Sequence, residues 1–382
     1  MNVPLVPLVP LVPLLDLEAH HAPLREALAA AAQRVLASGR YIQGPEVSAF
    51  EEEAAAAFGV SHAVGVSSGT DALLAILTAL GIGRDHEVVT TPFSFVAGAG
   101  AVARLGARPV FADVDPETLN LDPAAAAGRI GPRTGAVLVV HLFGRMARTR
   151  ALAEASAARG IALVEDAAQA AGAAGEGGLR TGTAGRAAAL SFFPAKNLGG
   201  FGDGGMVLTD DEALAARVRL LRVHGASRRH HHGLLGGNFR LDELQAALLR
   251  VKLPHLARWT AARRRLAARY TEALTGTPLG LPPPDPGCVW NQYVVRVPDG
   301  GRDALAARLG AAGIATAVYY PEPLHLQPCF AGLGYRAGDL PVAERACREA
   351  LALPIYPELD EARQARVISA IRSHYGGPAA AS

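Results

Sequence analysis

The chain has 382 residues, half of them hydrophobic, with a formal net charge of +2 and a sequence pI of about 8.5. That length allows two or three domains around large cores, and so balanced a charge excludes a dedicated nucleic-acid binder. The three cysteines, Cys288, Cys329 and Cys347, lack the paired spacing of a zinc site or an iron–sulfur cluster, and their low, odd count fits a reducing cytoplasm.

Residues 4–13 read PLVPLVPLVP. Proline at every third position blocks a helix and favours polyproline II, so residues 1–13 are expected to form a disordered tail. No basic residue precedes the tract, which argues against a signal peptide, and the tract is too short to span a bilayer. No other run reaches that length without glycine, proline or charge, so the expectation is a soluble cytoplasmic protein with no membrane contact. Ala-rich helices are expected over 22–37 and 46–58. Strands follow at 63–68, 87–92, 108–115, 135–144, 161–168, 188–194 and 205–210, with helical stretches between several of them. Short β-rich runs alternating with helices predict an α/β domain built on a mainly parallel sheet, covering residues 14–250.

After Arg240 the texture changes. A helical region runs to about Leu274, then the Pro-rich break LPPPDPG (281–287). Strands at 289–297 and 314–321 flank a helix over 302–312, and the remainder reads as mainly helical. This predicts a smaller α+β C-terminal domain, residues 251–382. The arginine run from Arg258 to Arg269 reads as the solvated face of a helix.

Only two of the 37 basic residues are lysines, Lys196 and Lys252. A primary amine condenses with aldehydes, whereas a guanidinium stays protonated and does not. Chance retention accounts for Lys252 in the helical stretch RVKLPHL. Lys196 follows a strand that ends in Pro194 and precedes a glycine-rich turn. Gly200, Gly202 and Gly205 match GxGxxG, but a strand follows rather than a helix, so this is not a dinucleotide fingerprint. The strand in IALVEDAAQA delivers Glu165 and Asp166 at its C-terminal end, with Gln169 one helical turn on. Asp166 could pair with a protonated pyridine nitrogen or simply cap a helix. The stretch VGVSSGTDALL opens a helix at Gly69 and Thr70, which is either an anion site or an ordinary strand–helix turn. Phe93 and Phe95 stand at another strand end, where one could stack on a flat ring and the other fill the core.

Taken together, GVSSGTDALLAILTALGIG, EDAAQA, SFFPAKNLGG, NFRLDELQAALLRVKL and YYPEPLHLQP resemble the DegT/StrS group of pyridoxal-phosphate sugar aminotransferases, of fold type I, from about Leu14 to Leu359. The resemblance implies that Lys196 carries pyridoxal 5'-phosphate as a Schiff base and, once released, shuttles a proton. Asp166 would pair with the pyridine nitrogen, and Gln169 would face the 3-hydroxyl side. Gly69, Thr70 and Ser191 would hold the phosphate, and Phe95 would stack on the ring. Asn238 would reach the phosphate of a second subunit, implying a homodimer with shared active sites. Arg240 would meet a carboxylate, and Tyr320 and His325, with Tyr319, would lie near the sugar. The implied reaction moves an amino group from glutamate or glutamine to a keto-sugar, at C3 or C4 of a nucleotide-linked hexose.

Two departures fall near the expected specificity region. The chain has HLFGRMART where the group usually reads HLYGQPADM, which introduces Arg145 and Arg148, and Phe239 replaces a usual serine. The RRHHH run (228–232) reads as a flexible loop, with a metal site or a basic loop near a nucleotide diphosphate as other readings. Two rivals share the fold. A pyridoxamine-dependent sugar dehydratase would replace the lysine with histidine, and a non-catalytic regulatory protein would not need Lys196, Asp166 and the Gly69–Thr70 turn together.

Overall fold

A computed structural model describes residues 11–376. Seven strands form one sheet: β1 (His62–Val66), β2 (Glu87–Thr90), β3 (Arg108–Phe111), β4 (Thr134–Val140), β5 (Ala162–Asp166), β6 (Ala187–Ser191) and β7 (Gly205–Thr209). Their spatial order is β1-β7-β6-β5-β4-β2-β3. Neighbouring strands are parallel except β7, which runs antiparallel to both β1 and β6.

The alternation within each strand explains the layers. Val64, Val66, Val88, Leu138, Val164, Ala187, Ala189 and Val207 point to one face, under the helices Gly69–Ala79, Ala97–Arg104 and Glu212–Leu221. Ala63, Ala188, Leu190, Met206 and Leu208 point to the other face, under Pro45–Phe58 and Glu243–Lys252. Val89, Val137, Val139 and Leu163 pack on that face beside Leu152 of the helix Thr149–Ala157. Because β1, β2, β4, β5 and β6 share one direction, their C-terminal ends converge at one edge, where ligands of open α/β sheets sit.

A short hairpin, β8 (Ala226–Arg228) with β9 (His231–His232), follows. The C-terminal region pairs β10 (Tyr293–Arg296) antiparallel with β11 (Ala350–Leu353). Helices Leu256–Leu274, Arg302–Ala311 and Glu361–His374 enclose a core of Tyr270, Tyr293, Leu305, Leu351, Val367 and Ile371.

Several expectations are corrected. Residues 1–10 lie outside the described residues, but the end of the expected tail is anchored. Val12 is fully buried, its N–H donates to Gly313 O at 3.0 Å, and its carbonyl accepts from the Ala315 N–H at 3.0 Å. The strand expected over 314–321 makes only isolated bridges, Val12 with Ile314 and Ala317 with Ala352, because its latter half turns Tyr319 and Tyr320 toward the sheet edge. The apolar ALAL at 350–353 is a strand, where local helix propensity lost to pairing with β10. The arginine run is not wholly solvated. Arg263 is buried and donates to the carbonyls of Trp290, Asn291 and Ile355.

Candidate active site

Between the C-terminal sheet edge and the C-terminal region lies a cavity of about 420 Å³. Gly69, Thr70, Phe95, Asp166, Gln169, Ser191, Lys196 and Tyr320, all expected from the sequence, line it together. Asn291, Gln292 and Tyr319 close it from the C-terminal side.

Strand alternation sends the two adjacent carboxylates of β5 opposite ways. Glu165 is fully buried, receives His141 Nε2 at 2.8 Å, and accepts the N–H groups of Gly182, Ala184 and Gly185 at 3.1, 3.0 and 2.9 Å. His141 Nδ1 accepts the Ala147 N–H at 3.1 Å, so its proton is on Nε2 and points at Glu165. Glu165 therefore stitches the β5 end to the 182–185 turn. Asp166 faces the cavity instead. Its Oδ1 accepts the Ala168 N–H at 3.1 Å, and no protein group donates to Oδ2 among the described residues. No regular helix follows β5; residues 167–173 make successive turns, so Asp166 closes a turn and caps no helix. Burial pushes the Asp166 carboxyl above the usual carboxylate range, with the Ala168 N–H, Lys196 and His141 pulling it back in part. A cation on Oδ2 would relieve that cost.

Lys196 stands on the loop after β6, half-buried at the cavity wall. Burial lowers its pKa, and the Asp166 charge opposes the shift. A lowered pKa raises the share of free amine available to condense with an aldehyde. The loop is held from the C-terminal region: Asn291 Nδ2 donates to Ala195 O at 3.3 Å and Asn197 Nδ2 to Val289 O at 3.0 Å.

The helix Gly69–Ala79 begins at the cavity wall. Ser68 Oγ accepts the Asp71 N–H at 3.0 Å, while the N–H groups of Gly69 and Thr70 find no acceptor among the described residues. Free N–H groups at a helix start bind anions. Two glycines bring this turn onto the sheet. A Cβ on Gly69 would stand 2.8 Å from Ser191 Cβ, and one on Gly205 would stand 2.3 Å from the Ser68 carbonyl carbon. Phe93 is fully buried, edge-on to Phe143 and Tyr320, whereas the Phe95 ring is 61% exposed and borders the cavity. Gln169 Oε1 accepts the Phe143 N–H at 2.7 Å and Nε2 donates to Tyr320 OH at 3.3 Å, so its side chain is fixed.

The residues fit a phosphorylated pyridine aldehyde: an amine of lowered pKa, a buried carboxylate oxygen without a donor, and a helix start with the free N–H groups of Gly69 and Thr70, all lining one cavity.

Arg240 and His325 stand elsewhere, and Asn238, expected to serve a second subunit, lies outside this chain's own cavity. Asn238 and Arg240 line a neighbouring depression of about 320 Å³ with Ile42, Ser67, Asp242 and Gln245, and Asp203 borders both spaces. His325 does not line the cavity; it is 1% exposed, with Nε2 3.2 Å from Glu344 Oε1. Arg145 is turned away, its guanidinium held by Asp285 at 2.8 Å and by Pro283 O. Phe239 packs against the sheet core. The RRHHH run forms the exposed β8–β9 hairpin, and no cluster able to hold a metal occurs among the described residues. Asn291 and Gln292 were not anticipated; the polar pair NQ opening the apolar strand QYVVRV is the signal that marks them.

The family model described as the DegT/DnrJ/EryC1/StrS aminotransferase family matches residues 23–372. The chain belongs to this family. It is 46% identical to the dTDP-3-amino-3,4,6-trideoxy-alpha-D-glucose transaminase of Streptomyces venezuelae over 361 residues, 94% of each chain. It is 47% identical over 380 residues to a protein of Geobacillus stearothermophilus named pleiotropic regulatory protein, covering 98% of this chain and 99% of that one. Its fold superimposes on the crystal structure of DesV from S. venezuelae in complex with a ketimine intermediate with a TM-score of 0.93 at 46% identity, covering 96% and 99% of the two chains. As a DegT/DnrJ/EryC1/StrS aminotransferase, the chain has the type I fold of pyridoxal-phosphate enzymes, and pyridoxal phosphate is its cofactor.

Proposed function

We propose that this aminotransferase moves an amino group from glutamate or glutamine to the C3 carbonyl of a nucleotide-linked keto-hexose, using the 420 Å³ cavity as its active site. The observation that carries the reading is that one cavity is lined by the Lys196 amine, by the Asp166 carboxylate whose charge it feels, and by the Gly69 and Thr70 turn with its free N–H groups. The transaminase name of the S. venezuelae relative supports C3 over C4.

When bound, the cofactor acts as the electron sink that makes a proton on an adjacent carbon removable. The protein supplies the rest. Lys196 would hold the cofactor through its amine and, when free, would carry a proton to and from the substrate carbon. Asp166 Oδ2 keeps a proton on the pyridine nitrogen. Gly69, Thr70 and Ser191 fix the phosphate, and Phe95 covers the ring. Gln169, braced by Phe143 and Tyr320, orients the 3-hydroxyl side. Tyr319 and Tyr320 wall the sugar side. The exposed Asn238 supports a homodimer in which it reaches the phosphate of the neighbouring subunit, with Arg240 beside it for a donor or sugar carboxylate. We place the large domain at residues 14–250 and the small one at 251–382. No described helix is long and apolar enough to cross a membrane, and we propose a cytoplasmic enzyme with small-molecule partners only, neither nucleic acid nor membrane.

Replacing Lys196 with alanine is expected to abolish turnover and the absorbance of the lysine-linked cofactor; a variant that keeps both overturns the reading. A regulatory role is the second reading, favoured by the name of the Geobacillus relative. It predicts a purified protein whose cofactor absorbance is indifferent to glutamate, whereas the aminotransferase reading predicts bleaching.

A further inference from the structure

Lys252 is the other lysine of the chain, and the amino transfer described above does not use it. It is 1% exposed, at the last residue of the helix Glu243–Lys252. Its Nζ donates to Gly199 O and lies 3.1 Å from His21 Nε2. The rings of Phe201 and Trp259 flank it, with centroids 5.4 and 5.8 Å away. Desolvation draws the Lys252 pKa down to about 8, against the pull of Glu358. His21 is held at about 4 by burial and by Lys252 and His20, so its imidazole is neutral and its Nε2 can accept.

Burying an amine without a task is unfavourable, and an apolar side chain would pack between the two rings with no desolvation cost. The chain uses arginine for nearly every other cation, yet a compact ammonium with rotatable donors occupies this space. Its acceptor explains why. Gly199 is the third residue after Lys196, in a turn so tight that a Cβ there would stand 2.2 Å from Pro194 O. Asn291 already holds the other end of the loop at Ala195 O.

We propose that Lys252 is a positioning residue, which fixes the Gly199 end of the loop and thereby sets where the Lys196 amine stands in the cavity. His21 and Phe201, whose rings lie 4.5 Å apart, extend the hold to the N-terminal helix Leu17–His21. The inference rests on the reading of Lys196 as the cofactor lysine.

The test compares wild type, Lys252→Met and Lys252→Arg as full-length protein. In the cofactor-free form, hydrogen exchange of the peptide spanning residues 194–201 should quicken by about tenfold or more in Lys252→Met, with the β4 and β5 peptides unchanged. In the loaded form, the single-turnover rate with glutamate should fall about ten- to a hundredfold, the scale of a displaced reacting group, while the glutamate concentration at half-saturation stays put. If Lys252→Met does not fold, Lys252→Arg decides by the same two measurements, since a planar fork cannot seat itself on Gly199 O and His21 Nε2 within the lysine's space. A folded variant with wild-type exchange and wild-type rate overturns the proposal. Borohydride trapping of pyridoxal phosphate on wild-type protein separates the two ideas: absence of label on Lys196 defeats the cofactor-lysine reading, while the exchange of the cofactor-free loop still tests the clamp.

Discussion

Asp166→Asn would change one charge and almost no volume, and it should reverse its effect on stability when the cofactor binds. The amide can still accept the Ala168 N–H through its oxygen, as Asp166 Oδ1 does at 3.1 Å. What disappears is the negative charge at Oδ2. In the cofactor-free protein that charge is a burden, because burial raises the Asp166 pKa. The sign follows from proton linkage. A carboxyl whose folded pKa lies above its unfolded value contributes stability below the unfolded pKa, and that contribution is lost as pH rises through the folded pKa. At neutral pH the cofactor-free Asn variant should therefore melt no lower than wild type, and its advantage should vanish toward pH 3. With cofactor bound the order should invert, because a hydrogen bond to a charged group contributes about 1.5–3 kcal/mol. The same loss in the transition state predicts a fall of about ten- to a hundredfold in the single-turnover rate with glutamate. Melting curves with and without pyridoxal phosphate, and stopped-flow absorbance after adding glutamate, measure both halves. A cofactor-free variant that melts below wild type would refute the buried-charge argument, and a rate within twofold of wild type would refute the pairing of Asp166 with the pyridine nitrogen.

In Gly69→Ala the added Cβ would press on Ser191 Cβ at 2.8 Å; the turn is expected to relax away in the cofactor-free protein and to meet the overpacking cost of about 1–3 kcal/mol on closing round the phosphate. The expected result is roughly a five- to 150-fold higher dissociation constant for pyridoxal phosphate, read by titrating the cofactor-free protein. Arg263→Met leaves the carbonyls of Trp290, Asn291 and Ile355 without their donor; a cost of about 3 kcal/mol or more should lower the melting midpoint by roughly 5 °C or more. Tyr320→Phe removes the acceptor of Gln169 Nε2 and should cost about 0.5–1.5 kcal/mol of stability, seen as a slightly lower melting midpoint together with a several-fold lower rate as Gln169 loosens.

The sheet was legible because its strands are short apolar runs between helices, and the cavity was legible because parallel strands place their last residues at one edge. Asp166, Lys196 and the Gly69 turn could thus be grouped from the strand pattern, whereas Ser191 was implied only by the family resemblance. Residues whose roles depend on distant packing were not. Arg263 reads like its neighbours in an arginine-rich helix, and only the approach of the 290–291 and 355 backbones makes it a buried donor. Lys252 looked idle because its acceptor, Gly199, lies 53 positions away. His325 sits in a stretch that borders the cavity, but the chain turns the ring toward Glu344. The ALAL strand failed for the opposite reason: local propensity favours helix, and only β10 makes it a strand.

The anchoring of Val12 at Gly313 and Ala315 makes the smaller core discontinuous in sequence. Val12 and Leu15 belong to it, and so do residues from Ala267 onward, while the sheet domain lies between them. A free loop of about 250 residues would cost about 5 kcal/mol to close, a cost that the folded sheet region removes by bringing its two ends together. During synthesis the small core must wait for the last helix, holding its N-terminal piece in reserve. A fragment of residues 251–382 alone would emerge with an open groove where Val12 belongs. An excised small domain would therefore need residues 11–15 supplied, by circular permutation or as a separate peptide.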